Sequence, residues 1–215
     1  MPKNTKHFPL PRQKRTLLLL EWCAGFRPAG SIWVLLLALR GFSLVEIGAA
    51  EGVFHAVSLC GELPSGLLAD LLGRRRTLAA GQAMFLLSPL LLMCSESLTG
   101  VCLSMAVLAL GFNLQSGTRE AMAYETMLQA GQEDGYLKFS SLQNAVYRLS
   151  DGGAMLLAGA TMILGWRRAC LLDAAIALLG LAAALSLTEP VCPGREGPAA
   201  TPRALPAALR DPILG

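Results

Sequence analysis

The feature that most constrains this chain is the alternation of apolar blocks of around 20 residues with short clusters of charge. About 20 apolar residues in an α-helix cross about 30 Å of hydrocarbon, so each block is long enough to span a bilayer. Six spans use about 120 residues, which fits within 215. Twelve would need about 240, more than the chain holds. Only 15% of residues are charged and the mean hydropathy is +0.51. Soluble domains carry about 25% charged residues, so the composition argues against a cytosolic globular enzyme. The net charge of +3 comes largely from clusters beside apolar blocks. It reads as membrane topology and gives no support for nucleic-acid binding.

The expected spans run from Thr16 to Leu39, Leu44 to Leu68, Leu78 to Cys94, Thr99 to Met127, Phe139 to Leu164 and Ala169 to Leu187. The basic start followed by Leu17 to Leu20 imitates a secretory signal peptide, but Glu21 and Trp22 interrupt the apolar run and no small-residue cleavage site follows. The first block is therefore read as a retained span. Basic residues concentrate before the first span, at Arg74 to Arg76, at Lys138, and in the tail at Arg195, Arg203 and Arg210. Only Arg40, Arg167 and Arg168 fall on the opposite side, which predicts a multi-pass cell-membrane protein with both termini cytoplasmic. Three regions follow: a cytoplasmic segment over residues 1–15, a six-helix transmembrane domain over 16–188, and a Pro/Gly/Ala-rich cytoplasmic linker over 189–215. The linker reads as the start of a passage to a second membrane half.

Cys23, Cys60, Cys94, Cys102 and Cys170 lie in or beside apolar blocks and Cys192 in the tail, with no C-x-x-C and no His at metal spacing. They read as small packing residues, with Cys94 and Cys102 as the one conceivable disulfide. No cofactor motif, metal-ligand set or nucleophile triad stands at usable spacing, so neither catalytic residues nor cofactors are expected.

Between the second and third spans runs Glu62-Leu-Pro-Ser-Gly66-Leu-Leu-Ala-Asp70-Leu-Leu-Gly73-Arg74-Arg75-Arg76. Gly66 permits close helix contact, Asp70 places a carboxylate at a helix end, Gly73 can take a positive φ, and Arg74 and Arg75 anchor the loop inside. This combination resembles the G-x-L-A-D-x-x-G-R-R/K loop of the major facilitator superfamily of secondary transporters. It departs at Leu71, where that family often has a basic residue. Arg40 to Gly48, Ser116-Gly117 through Tyr124-Glu125, and Gly165-Trp166-Arg167-Arg168 are similar to further stretches of one subgroup. The proline-bearing fifth-span signature of drug/proton antiporters is absent; Asp151-Gly152-Gly153 stands without the proline. The resemblance covers the N-terminal six-helix half of the family. It implies an all-α polytopic fold of two inverted three-helix repeats, and an Asp70 that touches the other half, supplied here by missing sequence or a second chain.

A charge at the bilayer centre costs about 2.5 to 3.5 kcal/mol on insertion scales, so each one needs a partner or a cavity. On the second span Glu51, His55, Ser58 and Glu62 share one face, and Glu51 can meet His55 at i, i+4. This stripe is either a proton-binding pair or an interhelical hydrogen-bonding face packed through Gly48-x-x-x-Gly52. On the fifth span Ser141, Asn144, Arg148 and Asp151 share a face, with Arg148 and Asp151 able to pair at i, i+3. Arg27, deep in the first span before Pro28, is expected either to face an anion or to pair with Glu51 or Asp151. Arg119 beside Glu120 is a shallower equivalent, and Asp173 reads as a packing partner. Trp22, Trp33 and Trp166 read as interface anchors, and Pro64 and Pro89 as helix kinks.

The resulting expectation is a secondary transporter, or its half, moving a small solute through a lipid bilayer by alternating access, with protons as a coupling ion through Glu51 or Asp151. The alternative is a non-transporting six-span protein that acts only in assembly with a partner chain.

Overall fold

The computed structural model describes residues 9–190, and among them the chain is helical with no strand. The terminal parts of the expected N-terminal segment and linker, with Cys192, Arg195, Arg203 and Arg210, lie outside the described residues. The helices are α1 (Leu10–Gly25), α2 (Pro28–Ser31), α3 (Trp33–Leu39), α4 (Leu44–Leu72), α5 (Arg74–Cys94), α6 (Leu98–Gln115), α7 (Thr118–Gln129), α8 (Tyr136–Leu164) and α9 (Trp166–Ser186), with a short 3₁₀ turn at Glu133–Gly135. Among the described residues four stretches are long and apolar enough to cross a membrane: Leu44–Glu62, Arg74–Cys94, Leu98–Gln129 and Trp166–Ser186. The other two expected spans differ for visible reasons. The first is divided into α1, α2 and α3, and the fifth, α8, carries the polar stripe ending in Arg148 and Asp151.

The element boundaries follow from local chemistry. Ser43 and Glu46 form a reciprocal capping box that starts α4, and the Ser97 side chain caps α6. Arg27 takes an extended φ of −130° and ψ of 77°, as the residue before Pro28 must, and the first span breaks there. The fourth span breaks at Gly117, whose φ of 68° ends α6 and starts α7. Pro64 and Pro89 are carried inside α4 and α5 without ending either helix.

The two halves of the sequence superimpose on a constant shift of 92 positions. Leu44 and Tyr136 both open helices of 29 residues, and Arg74 and Trp166 both open helices of 21. The intervening glycines agree even in backbone angle: Gly73 has φ 91° and ψ 154°, Gly165 φ 82° and ψ 151°. Packing obeys the same exchange, since α1 packs on α8 as α6 packs on α4, and α1 packs on α9 as α6 packs on α5. Three crossings separate the equivalent helices, so they run in opposite directions and the repeats are inverted. An apolar core sits to either side of the helix breaks: Leu17, Leu20, Leu78, Met122 and Ala184 form one, and Leu37, Ile47, Val101 and Met105 the other.

Two expectations are corrected and one is extended. Gly48, Gly52 and Gly66 have nothing within 4 Å of where a Cβ would stand, so the small-residue face of α4 packs against no helix of this chain. Cys94 and Cys102 are free thiols. Trp33 lies against a cavity, and Trp166 has the Arg40 guanidinium 4.1 Å above its ring, contacts that the interface-anchor reading did not include.

Candidate functional site

Two cavities open beside the two broken spans. The first, of about 240 Å³, surrounds Arg27 at the break between α1 and α2. Its guanidinium stands over Phe85 of α5 at 5.1 Å and Phe112 of α6 at 5.4 Å, a cation–π arrangement on two ring faces. Gly30 leaves the space the guanidinium occupies, because a Cβ there would come within 3.3 Å of Arg27 Nη2. Phe54 meets Phe112 edge to face at 5.9 Å and closes the aromatic wall. Glu51 and His55 reach the same cavity from α4, their side chains 3.9 Å apart and more than half exposed.

Asp173 is buried on α9 at the floor of this cavity. Its Oδ1 accepts the backbone N–H of Ala29 at 3.1 Å and its Oδ2 that of Gly30 at 2.9 Å. The break in the first span exposes these donors, and a carboxylate suits a helix N-terminus. Asp173 therefore holds the broken helix in place, in addition to packing. Among the described residues Arg27 forms no ion pair with Glu51 or Asp151, the second of the two alternatives, and its guanidinium makes no hydrogen bond.

The second cavity, of about 230 Å³, surrounds Arg119 at the start of α7. Arg119 Nη1 donates to Glu21 Oε2 at 2.7 Å, and Gln143 Nε2 donates to Glu21 Oε1 at 3.2 Å. The partner of Arg119 is thus the buried Glu21 of α1. Arg148 lines this cavity with its guanidinium 5.7 Å from the Tyr147 ring, and it does not pair with Asp151. Successive charges on one helix face need not meet when each has a nearer surface to cover. Asp151 lies beside the end of α1, its backbone N 3.3 Å from a Cβ built on Gly25. Glu62 is exposed and lines neither cavity.

The shift of 92 positions relates three lining residues of each cavity, Arg27 to Arg119, Glu51 to Gln143 and His55 to Tyr147, and it pairs Glu21 of the second cavity with Asn113, which lies outside the first. Two of these pairs exchange a carboxylate for an amide, Glu51 for Gln143 and Glu21 for Asn113; Asn113 turns to Ser58, donating to its carbonyl at 2.9 Å and accepting from its hydroxyl at 3.0 Å. Sequence reasoning passed over Glu21, Gln143 and Asn113, although the matched Gly73-Arg-Arg and Gly165-Trp-Arg-Arg turns carried the register that pairs them.

At the end of α4, Asp70 pairs with Arg74 at 3.1 Å across Gly73, and Arg74 Nε reaches Glu125 of α7 at 3.4 Å. Glu189 beyond α9 accepts the backbone N–H groups of Arg74 at 2.6 Å and Arg75 at 2.8 Å, capping α5. The Arg75 guanidinium donates to the Leu185 carbonyl. Residues 66–75 thus tie α4, α5, α7 and the end of α9 into one ionic cluster. Compared with known families, residues 23–214 match the model described as the Major Facilitator Superfamily. No curated protein matches the chain.

Proposed function

This chain belongs to the Major Facilitator Superfamily, a family of membrane transporters, and from that premise we propose that it moves a small solute across a cell membrane by alternating access. The observation that carries the proposal is the Arg27 cavity: a cation without a hydrogen-bonding partner, deep at a broken helix and walled by aromatic rings. Non-helical backbone at membrane depth is tolerated where it lines a cavity, and polar groups there mark solute or ion paths. Glu51 beside His55 is the proton-coupling pair, with Arg119, Arg148 and Asp151 on the path of the other repeat. The ionic cluster of Asp70, Arg74, Glu125 and Glu189 is the conformational latch. Both termini face the cytoplasm, and a second six-helix unit, from further sequence or a partner chain, covers the open faces of α4 and α8.

That open face also favours the second reading, a six-span protein that works only in assembly. Gly48, Gly52, Gly152 and Gly159 lie on α4 and α8 with no neighbour within 4 Å of a Cβ position. Reconstitution into vesicles holding a pH-sensitive dye separates the two. Under an imposed pH gradient a panel of small solutes should contain one that moves protons, and Glu51→Gln should abolish that movement. Proton movement that survives Glu51→Gln would retire the coupling role, and vesicles silent to every solute would favour the assembly reading.

A further inference from the structure

The Arg119 cavity shows what an arginine at this position of the repeat holds. After each break the arginine is presented to the cavity; at Arg119 the slot in front of it is filled by the Glu21 carboxylate, which receives one hydrogen bond from Arg119 and a second from Gln143. Moved by 92 positions, the residue equivalent to Glu21 is Asn113, which is engaged with Ser58, and among the described residues no carboxylate forms an ion pair or hydrogen bond with the Arg27 guanidinium. Asp173, which lines the cavity with Arg27, accepts the backbone N–H groups of Ala29 and Gly30. Most of the rest of the lining is apolar, with Phe54, Met105, Leu108 and Phe112 among it.

Building on the transporter reading of this site, we infer that the Arg27 cavity binds the carboxylate of an apolar monocarboxylate, with protonated Glu51 as the second donor. Glu51 occupies the place of Gln143, and a carboxylic acid resembles a carboxamide in shape and likewise donates one hydrogen bond. An ionised Glu51 would instead repel the incoming anion, since two carboxylates sharing a site disfavour double ionisation. The solute therefore enters together with a proton that sits on Glu51. The charged and titratable groups facing Glu51 are His55 on its own helix, Arg27 from the first span, and Asp173 with Cys170 from α9; α5 and α6 bring none to the cavity. His55 Nε2, 3.9 Å from Glu51 Oε1, is placed to relay that proton.

The test uses the whole chain in lipid nanodiscs, with benzoate as the probe and benzyl alcohol as the same ring without a carboxylate. Binding is followed by calorimetry and by the fluorescence of Trp33, which lines the cavity. Benzoate should bind at least tenfold more tightly at about pH 5.5 than at about pH 8, and benzyl alcohol should not compete. Glu51→Gln should bind benzoate at both pH values with the pH dependence gone, Arg27→Lys should keep weakened binding, and Arg27→Gln should lose it. Benzoate binding that persists in Arg27→Gln, or a pH dependence that persists in Glu51→Gln, overturns the assignment. Because binding is read without a gradient, the two proposals fail separately. Proton-coupled flux of other solutes without benzoate binding retires the carboxylate class alone, and benzoate binding without any flux retires transport alone.

Discussion

Glu21 and Arg119 stand 98 positions apart in the chain and 2.7 Å apart in space, and this buried pair joins the first helix of one repeat to the broken fourth span of the other. Burying two charges is costly, and it is offset here by close geometry and by the Gln143 hydrogen bond to the second carboxylate oxygen. Removing one partner leaves the other charge buried alone. Glu21→Gln or Arg119→Gln should therefore lower stability by about 3 to 5 kcal/mol, while the double variant should recover part of the loss. Thermal unfolding of the solubilised protein checks this; equal losses in single and double variants would show that the pair is not coupled.

The glycines of the two matched turns separate backbone strain from steric crowding. Gly73 and Gly165 share a positive φ, but a Cβ on Gly73 would come within 3.0 Å of Glu189 Oε1, whereas one on Gly165 meets nothing within 4 Å. Gly165→Ala should cost about 1 to 2 kcal/mol from conformation alone. Gly73→Ala should cost more, because it also pushes away the carboxylate that caps α5. Denaturation midpoints of the two variants give the comparison, and equal costs would mean that the Glu189 cap contributes nothing.

Asp173 holds the break of the first span through two backbone N–H groups. Asp173→Asn turns one acceptor into a donor facing an N–H, so it should destabilise the fold by about 1 to 3 kcal/mol and raise protection loss at Ala29 and Gly30 specifically. Hydrogen exchange resolved over residues 23–39 reads this directly. Exchange that rises evenly over all helices would place the role of Asp173 elsewhere.

Gln82 and Gln115 are buried with both side-chain polar atoms unpartnered. Gln82 lies against Gly180, whose absent Cβ would come within 2.6 Å of Gln82 Oε1. A buried amide without partners loses its hydration for nothing in return, so Gln82→Met should raise stability by about 1 to 3 kcal/mol. A fall in the unfolding temperature would indicate a hydrogen bond that the structure does not contain.

The legible part of the fold was carried by local signals. The apolar blocks marked the spans, Gly73 marked a sharp turn, and Glu51 met His55 because four residues make about one turn of helix. Local signals also misled. Arg148 and Asp151 share a face and do not pair, and Arg119 takes its partner, Glu21, from a helix 98 positions away in the chain. A charge buried between helices takes the partner with the best geometry, whatever its separation in sequence.

The sequence by itself determined that this chain is a set of membrane helices with a family-specific loop, because span length, caps and glycine turns are properties of a few neighbouring residues. Only the tertiary structure decided which arginine is satisfied. Arg27 and Arg119 occupy equivalent places in an inverted repeat, and what distinguishes them is a carboxylate brought by another helix: Glu21 fills one slot, and Asn113, turned to Ser58, leaves the other open. Satisfaction of a buried charge depends on where helices cross, and that crossing is set by packing between segments about a hundred residues apart.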